Sequence, residues 1–234
     1  LFPGKENLMI DVLDKLDLDW SDLPKTHEVT SALLAELAED KDTLRLLIDR
    51  VREERSLMAM CERHRLLDKI VVYDGGERGF RLRVHISTRE HRDRPHDHRF
   101  SFTSRILTGR YRHTRHDLVG ELDQSVPWHV QDDVDARLSE ARAVPMFVTH
   151  QTAGSTYSLH HTEVHTTFTT PGTVSLFLRG PAEKDRSLIT ERETGRLWWR
   201  YGADKEKPER RVAKVMDRTE FEDLVGRLNR LEII

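Results

Sequence analysis

The stretch that decides the reading is Pro95-His96-Asp97-His98-Arg99-Phe100-Ser101-Phe102-Thr103-Ser104-Arg105-Ile106-Leu107-Thr108-Gly109-Arg110-Tyr111. Side chains alternate across an extended chain, so His96 and His98 project from one face and Asp97 from the other. Two imidazoles placed in this way can converge on one ion. Pro95 disfavours helix at the residue before it and helps fix an extended entry. Phe100, Phe102, Ser104 and Ile106 then share a face, and Gly109 closes the strand before Tyr111.

The surrounding sequence has the same short-strand character. Ile70-Val71-Val72-Tyr73 is β-branched and aromatic, and Asp74-Gly75-Gly76 is a turn signal. Phe80, Leu82, Val84 and Ile86 alternate with Arg81, Arg83 and His85. Further strands are predicted at residues 99–107, 110–113, 146–149, 156–160, 164–169, 174–179 and 197–201. Many short strands separated by Gly, Pro and polar turns predict a mainly β sandwich or barrel.

The first third is different. Leu33, Leu34, Leu37, Leu44, Leu47, Ile48, Val51 and Met58 recur at helical spacing. Thr30 or Ser31 is the expected cap of a first helix, Asp40 and Asp42 mark a break, and a second helix runs to about Leu67. A shorter amphipathic segment covers residues 8–18. Near the end, Thr219-Glu220-Phe221-Glu222 has capping-box spacing, with Phe221, Leu224, Val225 and Leu228 as the apolar stripe that follows. The expected organisation is a helical region over 1–68 packed on a barrel over 69–202. A charged loop and C-terminal helix then occupy 203–234.

Composition excludes several classes. The 234 residues carry 41 acidic and 38 basic side chains, a formal charge of -3, so no global field favours nucleic acid or an anionic membrane. Trp198-Trp199-Arg200-Tyr201 stands alone and reads as strand packing rather than as a base-stacking platform. Cys61 is the one cysteine, which rules out an intramolecular disulfide and a thiolate-rich metal site. Its apolar neighbours Leu57, Met58 and Met60 suggest a packed thiol. No apolar run approaches the roughly 20 residues of a membrane helix, and the first residues lack a signal-peptide pattern. A cytoplasmic location is the expectation. There is no phosphate-binding glycine loop, dinucleotide fingerprint or nucleophile elbow.

The segment from His96 to Tyr111 resembles the first motif of the cupin superfamily, small β-barrel proteins with a His-x-His pair, a turn and a strand ending in glycine. The likeness spans roughly Phe80 to Pro181. Its usual glutamate ligand, four or five residues after the second histidine, would fall on Phe102 or Thr103, and neither replaces a carboxylate. The resemblance therefore points to the three-histidine, thiol dioxygenase-like branch. On that likeness Glu163-Val164-His165-Thr166, followed by Pro171-Gly172, supplies His165 as third ligand, with His161 the alternative. His161 and Glu163 are otherwise expected in the second shell, and Tyr111, His161 and Glu163 are the candidate catalytic groups.

Three neutral imidazoles suit Fe(II), and also Zn, Ni or Mn, and leave positions for an anionic or bidentate ligand. The implied function is oxidation of a small metal-chelating organic substrate by molecular oxygen. A metal-dependent isomerase or lyase and a non-catalytic small-molecule binder are the alternatives. The resemblance also implies a homodimer joined through sheet edges. An inward arginine among Arg81, Arg83, Arg99, Arg105 and Arg179 would clamp a carboxylate. Phe100, Phe102 and Phe168 are expected to wall the site.

Overall fold

The computed structural model describes residues 5–64, 67–120, 142–190, 197–202 and 205–234. Four helices come first: α1 (Lys5–Lys15), α2 (Leu23–Glu39), α3 (Lys41–Glu53) and α4 (Arg55–Met58). Strands follow as β1 (Asp68–Asp74), β2 (Arg81–Ile86), β3 (His91–Arg92), β4 (Phe102–Thr108), β5 (Arg110–Val119) and β6 (Arg142–Thr152). The series continues with β7 (Thr156–Leu159), β8 (Val164–Thr169), β9 (Val174–Arg179), β10 (Arg186–Thr190) and β11 (Leu197–Tyr201). Two helices close it, α5 (Pro208–Val212) and α6 (Arg218–Arg230).

Local chemistry moves several boundaries from their expected places. α2 starts upstream of Thr30 and Ser31, because the Asp22 side chain accepts from the Lys25 N–H and Pro24 sits in the first turn, where a missing N–H leaves nothing unpaired. Thr30 lies inside the helix and donates to the Thr26 carbonyl at 2.6 Å. The second helix stops short of Leu67. Glu62 instead adds to the sheet, exchanging backbone hydrogen bonds of 2.9 Å with Lys69. α6 opens at Asp217 rather than Thr219: Asp217 and Glu220 form the reciprocal box. The competing Glu222 is engaged by Arg52 at 2.8 Å. β3, β10 and α5 have no clear sequence signature; each is short.

The strands form two antiparallel sheets, β1-β2-β9-β4-β7 and β3-β8-β5-β6. The β10–β11 hairpin joins the second through His96, which bridges both His165 and Ile189. This is a mainly β barrel with helices before and after it. Gly109 makes the tight turn from β4 to β5 at φ +75°, and a Cβ there would lie 2.4 Å from the Thr173 hydroxyl, so only glycine fits.

Register fixes which residues enter the barrel. Leu82, Val84 and Ile86 lie opposite Leu178, Leu176 and Val174, and all six join the main core with Leu34, Leu37, Leu47 and Ile48 of the helices. Arg81, Arg83 and His85 lie opposite Arg179, Phe177 and Ser175 on the other face, which lines the interior. There Phe177 packs on Phe102, and the Tyr111 hydroxyl crosses from the second sheet to the Ser175 hydroxyl at 2.9 Å. Among the described residues no helix is long and apolar enough to cross a membrane.

Candidate metal centre

The backbone of His96 pairs antiparallel with that of His165, with N–H to carbonyl distances of 3.0 and 2.8 Å. Residues directly opposite in such a pair present side chains on the same face. His98, two residues on, follows them. The donor nitrogens of His96, His98 and His165 all lie within 4.8 Å of one another. His98 Nε2 and His165 Nε2 are 2.9 Å apart. Two nitrogens about 2.1 Å from one ion, at right angles, are separated by about 3 Å, so this spacing fits neighbouring ligands of a single ion.

The far sides of these rings are also occupied. His96 Nδ1 lies 2.8 Å from the Arg94 carbonyl and donates to it, which directs Nε2 inward. His165 Nδ1 lies 2.8 Å from His113 Nε2, so His113 orients His165 as an outer partner orients a metal ligand. Burial, followed by the charges of neighbouring groups, holds the pKa of His98 and of His165 well below the ordinary histidine value. Burial lowers His113 to about 4. These rings are neutral at pH 7, as ligation requires. His98 stacks on Phe100 at 5.4 Å and meets the Phe102 edge at 5.0 Å.

The group of three contains no carboxylate. Asp97 turns to the other side of its strand, accepting from the Leu188 N–H at 2.7 Å and from Lys184 Nζ at 2.5 Å. Thr103 faces the helices, where its hydroxyl meets those of Thr30 and Ser158. Phe177 stands where Phe168 was expected: Phe168 is only half-buried and alternates to the opposite face of β8 from His165.

Other candidate residues have partners elsewhere. The turn before β8 breaks the parity that would align His161 and Glu163 with His165. His161 Nδ1 lies 3.1 Å from Glu183 in a second group that includes His160. Glu163 pairs with Arg115 at 2.9 Å. Tyr111 is buried, bonded to Ser175, and raised to about 12 by that burial. Among the described residues no hydrogen bond or ring contact joins Tyr111, His161 or Glu163 to the three histidines. His150 is exposed on β6, and His129 lies outside the described residues. Sequence reading missed His113 as an orienting group and His85 as an interior one. Alternation puts His113 on the Tyr111 side of β5 and His85 opposite the apolar side of β2, but does not say which side is interior.

No family model matches the chain, and no curated protein matches it. Solved structures that resemble it include KdgF from Halomonas sp., at 13% identity over 51% of this chain and 86% of that one, with a TM-score of 0.33. An RmlC-like cupin from Shewanella frigidimarina is 12% identical over 54% of this chain and 98% of that one, with a TM-score of 0.32. The DMSP lyase DddQ from Ruegeria pomeroyi is 13% identical over 55% of this chain and 53% of that one, with a TM-score of 0.34.

Proposed function

We propose that this chain is a non-heme Fe(II)-dependent oxygenase acting on a small, metal-chelating organic substrate with molecular oxygen. His96, His98 and His165 would hold the ion within a barrel spanning residues 69–202, with 1–68 and 203–234 as its helical cover. The observation that carries the reading is the convergence of three donor nitrogens with two Nε2 atoms 2.9 Å apart. Iron would supply the electron transfer to oxygen that no side chain here can perform. The protein's own part is to fix the imidazole tautomers through Arg94 and His113, and to exclude water with Phe100, Phe102 and Phe177. Tyr111, whose hydroxyl meets that of Ser175 inside the barrel, would be a candidate to donate a hydrogen bond to a bound substrate or intermediate. A homodimer belongs to the same reading, since edge strand β6 leaves Met146 58% and Phe147 50% exposed.

The test is anaerobic reconstitution with Fe(II), followed by measurement of bound iron and of oxygen uptake with amino acids, small carboxylic acids and phenols. His165→Ala should lose the ion. His113→Ala should keep the fold and bind it about 10–100-fold more weakly. Full occupancy in His165→Ala would refute the ligand set. Turnover with Zn in the absence of oxygen would overturn the oxygenase and leave a metal-dependent isomerase or lyase.

A further inference from the structure

A second group of ligand-type side chains gathers at one end of the five-stranded sheet. Strand β4 lies between β9 and β7, and its first residue, Phe102, is opposite Arg179 on one side and Leu159 on the other. The segments that continue these three strands therefore leave the sheet side by side. They carry Ser101, His160, His161 and Glu183. The donor atoms of His160, His161 and Glu183 lie within 4.8 Å of one another. Ser101 has the parity of Thr103, whose hydroxyl meets that of Thr30 on α2, whereas Phe102 meets His98. The group thus lies on the other side of β4 from His98.

Each of these side chains is held in place. Glu183 Oε1 accepts from the Ser101 N–H at 2.9 Å and from the Ser101 hydroxyl at 2.7 Å. That fixes the carboxylate and directs Oε2 at His161 Nδ1, 3.1 Å away. Two ligand atoms about 2.1 Å from one ion, at right angles, stand about 3 Å apart. Successive side chains of an extended chain point to opposite sides. Here a turn, closed by the Glu163 N–H on the His160 carbonyl at 3.0 Å, brings the His160 and His161 rings to 4.1 Å instead. A hydrogen bond between His161 and Glu183 does not need that third ring. The Thr162 hydroxyl meets His160 Nδ1 at 2.8 Å and orients it. The nearby cation is already matched, since Lys184 pairs with Asp97 at 2.5 Å. The His161 and Glu183 side chains are 18% and 19% exposed, so an ion can enter from solvent.

We propose that His160, His161 and Glu183 form a second metal site, separate from the three histidines, for a divalent transition ion such as Zn(II). Two imidazoles and a carboxylate suit such an ion, whereas Mg(II) and Ca(II) take oxygen ligands. In the metal-free protein His161 Nδ1–H donates to Glu183 Oε2. The ion takes the place of that proton, and the neutral ring carries its proton on Nε2 instead. Three protein ligands leave a fourth position for water. The bound ion ties the segment after β7 to the segment after β9, across Ser101 at the start of β4, and so acts as a clamp on the end of the sheet.

The probe is Zn(II) alone, titrated calorimetrically into metal-free protein and counted by equilibrium dialysis. His160→Ala should bind one ion fewer than wild type, whatever the three histidines hold. Glu183→Gln keeps an acceptor for Ser101 and should weaken the same ion at least about tenfold, the cost of losing even an outer partner of a ligand. His165→Ala should still bind an ion at the second site, and Zn(II) should raise its Tm by mass action. Adding His160→Ala to that variant should abolish the rise. Zinc content unchanged by His165→Ala would refute the histidine centre and leave the second site standing. Content and affinity unchanged in both His160→Ala and Glu183→Gln would overturn the second site. So would a loss confined to Glu183→Gln, which would reduce the group to a hydrogen-bonded pair of His161 and Glu183.

Discussion

The two faces of β2 and β9 are built from neighbouring residues and do opposite work. One face, Leu82, Val84, Ile86, Val174, Leu176 and Leu178, is buried against the helices. The other, Arg81, Arg83, His85, Ser175, Phe177 and Arg179, lines the barrel. An isolated barrel would turn its apolar face inward. Here the helical layer supplies the apolar partner, which frees the interior to carry charge and imidazoles. Stability therefore resides mainly between sheet and helices, and binding chemistry between sheet and sheet.

The largest expected effect tests that division directly. Leu176→Ala, on the helix face, should destabilise the protein by about 2–5 kcal/mol, measured by urea unfolding. Metal affinity of the remaining folded fraction should stay unchanged. Ser175→Ala, one residue away on the interior face, removes only the partner of the Tyr111 hydroxyl and should cost about 1 kcal/mol. Equal losses at the two positions would erase the distinction between the faces.

This division also explains what could be read from the sequence. The strand at Arg81–Ile86 and its alternation were legible, and Arg81 and Arg83 were correctly placed opposite its apolar side. Which side faced the barrel was not legible, because alternation gives parity without saying what covers each face. The histidine pair was legible for the same reason in reverse, since His-x-His fixes its own convergence. The pairing of His96 with His165 joins residues far apart in sequence, and only a resemblance suggested it. His113 was passed over because its role depends on the ring of His165 rather than on any local pattern. Helix starts were misplaced where two residues of capping type compete and distant partners decide, as Arg52 does by engaging Glu222.

A smaller effect should appear as pH falls, and His85 on the interior face contributes to it. Burial, with Lys69 and Arg200 nearby, lowers His64 to about 3, and burial with Lys69 and Arg83 lowers His85 well below the ordinary value. The unfolded chain takes up these protons near pH 6.5 and the folded chain does not, so their contribution to stability is full above that pH and declines below it. Glu62 has the same sign. Burial opposes its ionisation, but Lys69 and Arg83 outweigh burial and hold it at about 2, so its contribution falls away below about pH 4.5. The urea midpoint of metal-free protein should thus be lower at pH 5.5 than at pH 7.5, and His85→Phe should reduce the difference. A midpoint independent of pH over that range would mean that the interior face is hydrated rather than buried.

The smallest effect lies on the helix side, where substitutions should change stability alone. α6 buries Phe221, Leu224, Val225 and Leu228 in the shared core, so its start sets how securely that stripe is held. Asp217 Oδ1 accepts from the Glu220 N–H at 2.8 Å, and Glu220 Oε2 accepts from the Asp217 N–H at 3.0 Å. Asp217→Ala removes the cap and should cost about 1 kcal/mol, whereas Asp217→Asn keeps an acceptor and should cost less. Thr219 sits exposed within the first turn. There alanine is the better helix former, so Thr219→Ala should be neutral or stabilising by a few tenths of a kcal/mol. The two alanine variants thus differ in sign, which urea midpoints resolve more firmly than a difference in size. If Thr219→Ala were the more destabilising, the helix would begin at Thr219 and the Asp217–Glu220 box would not be its start. Metal affinity should be the same in both variants, because α6 reaches the histidine group only through the apolar face of the intervening sheet.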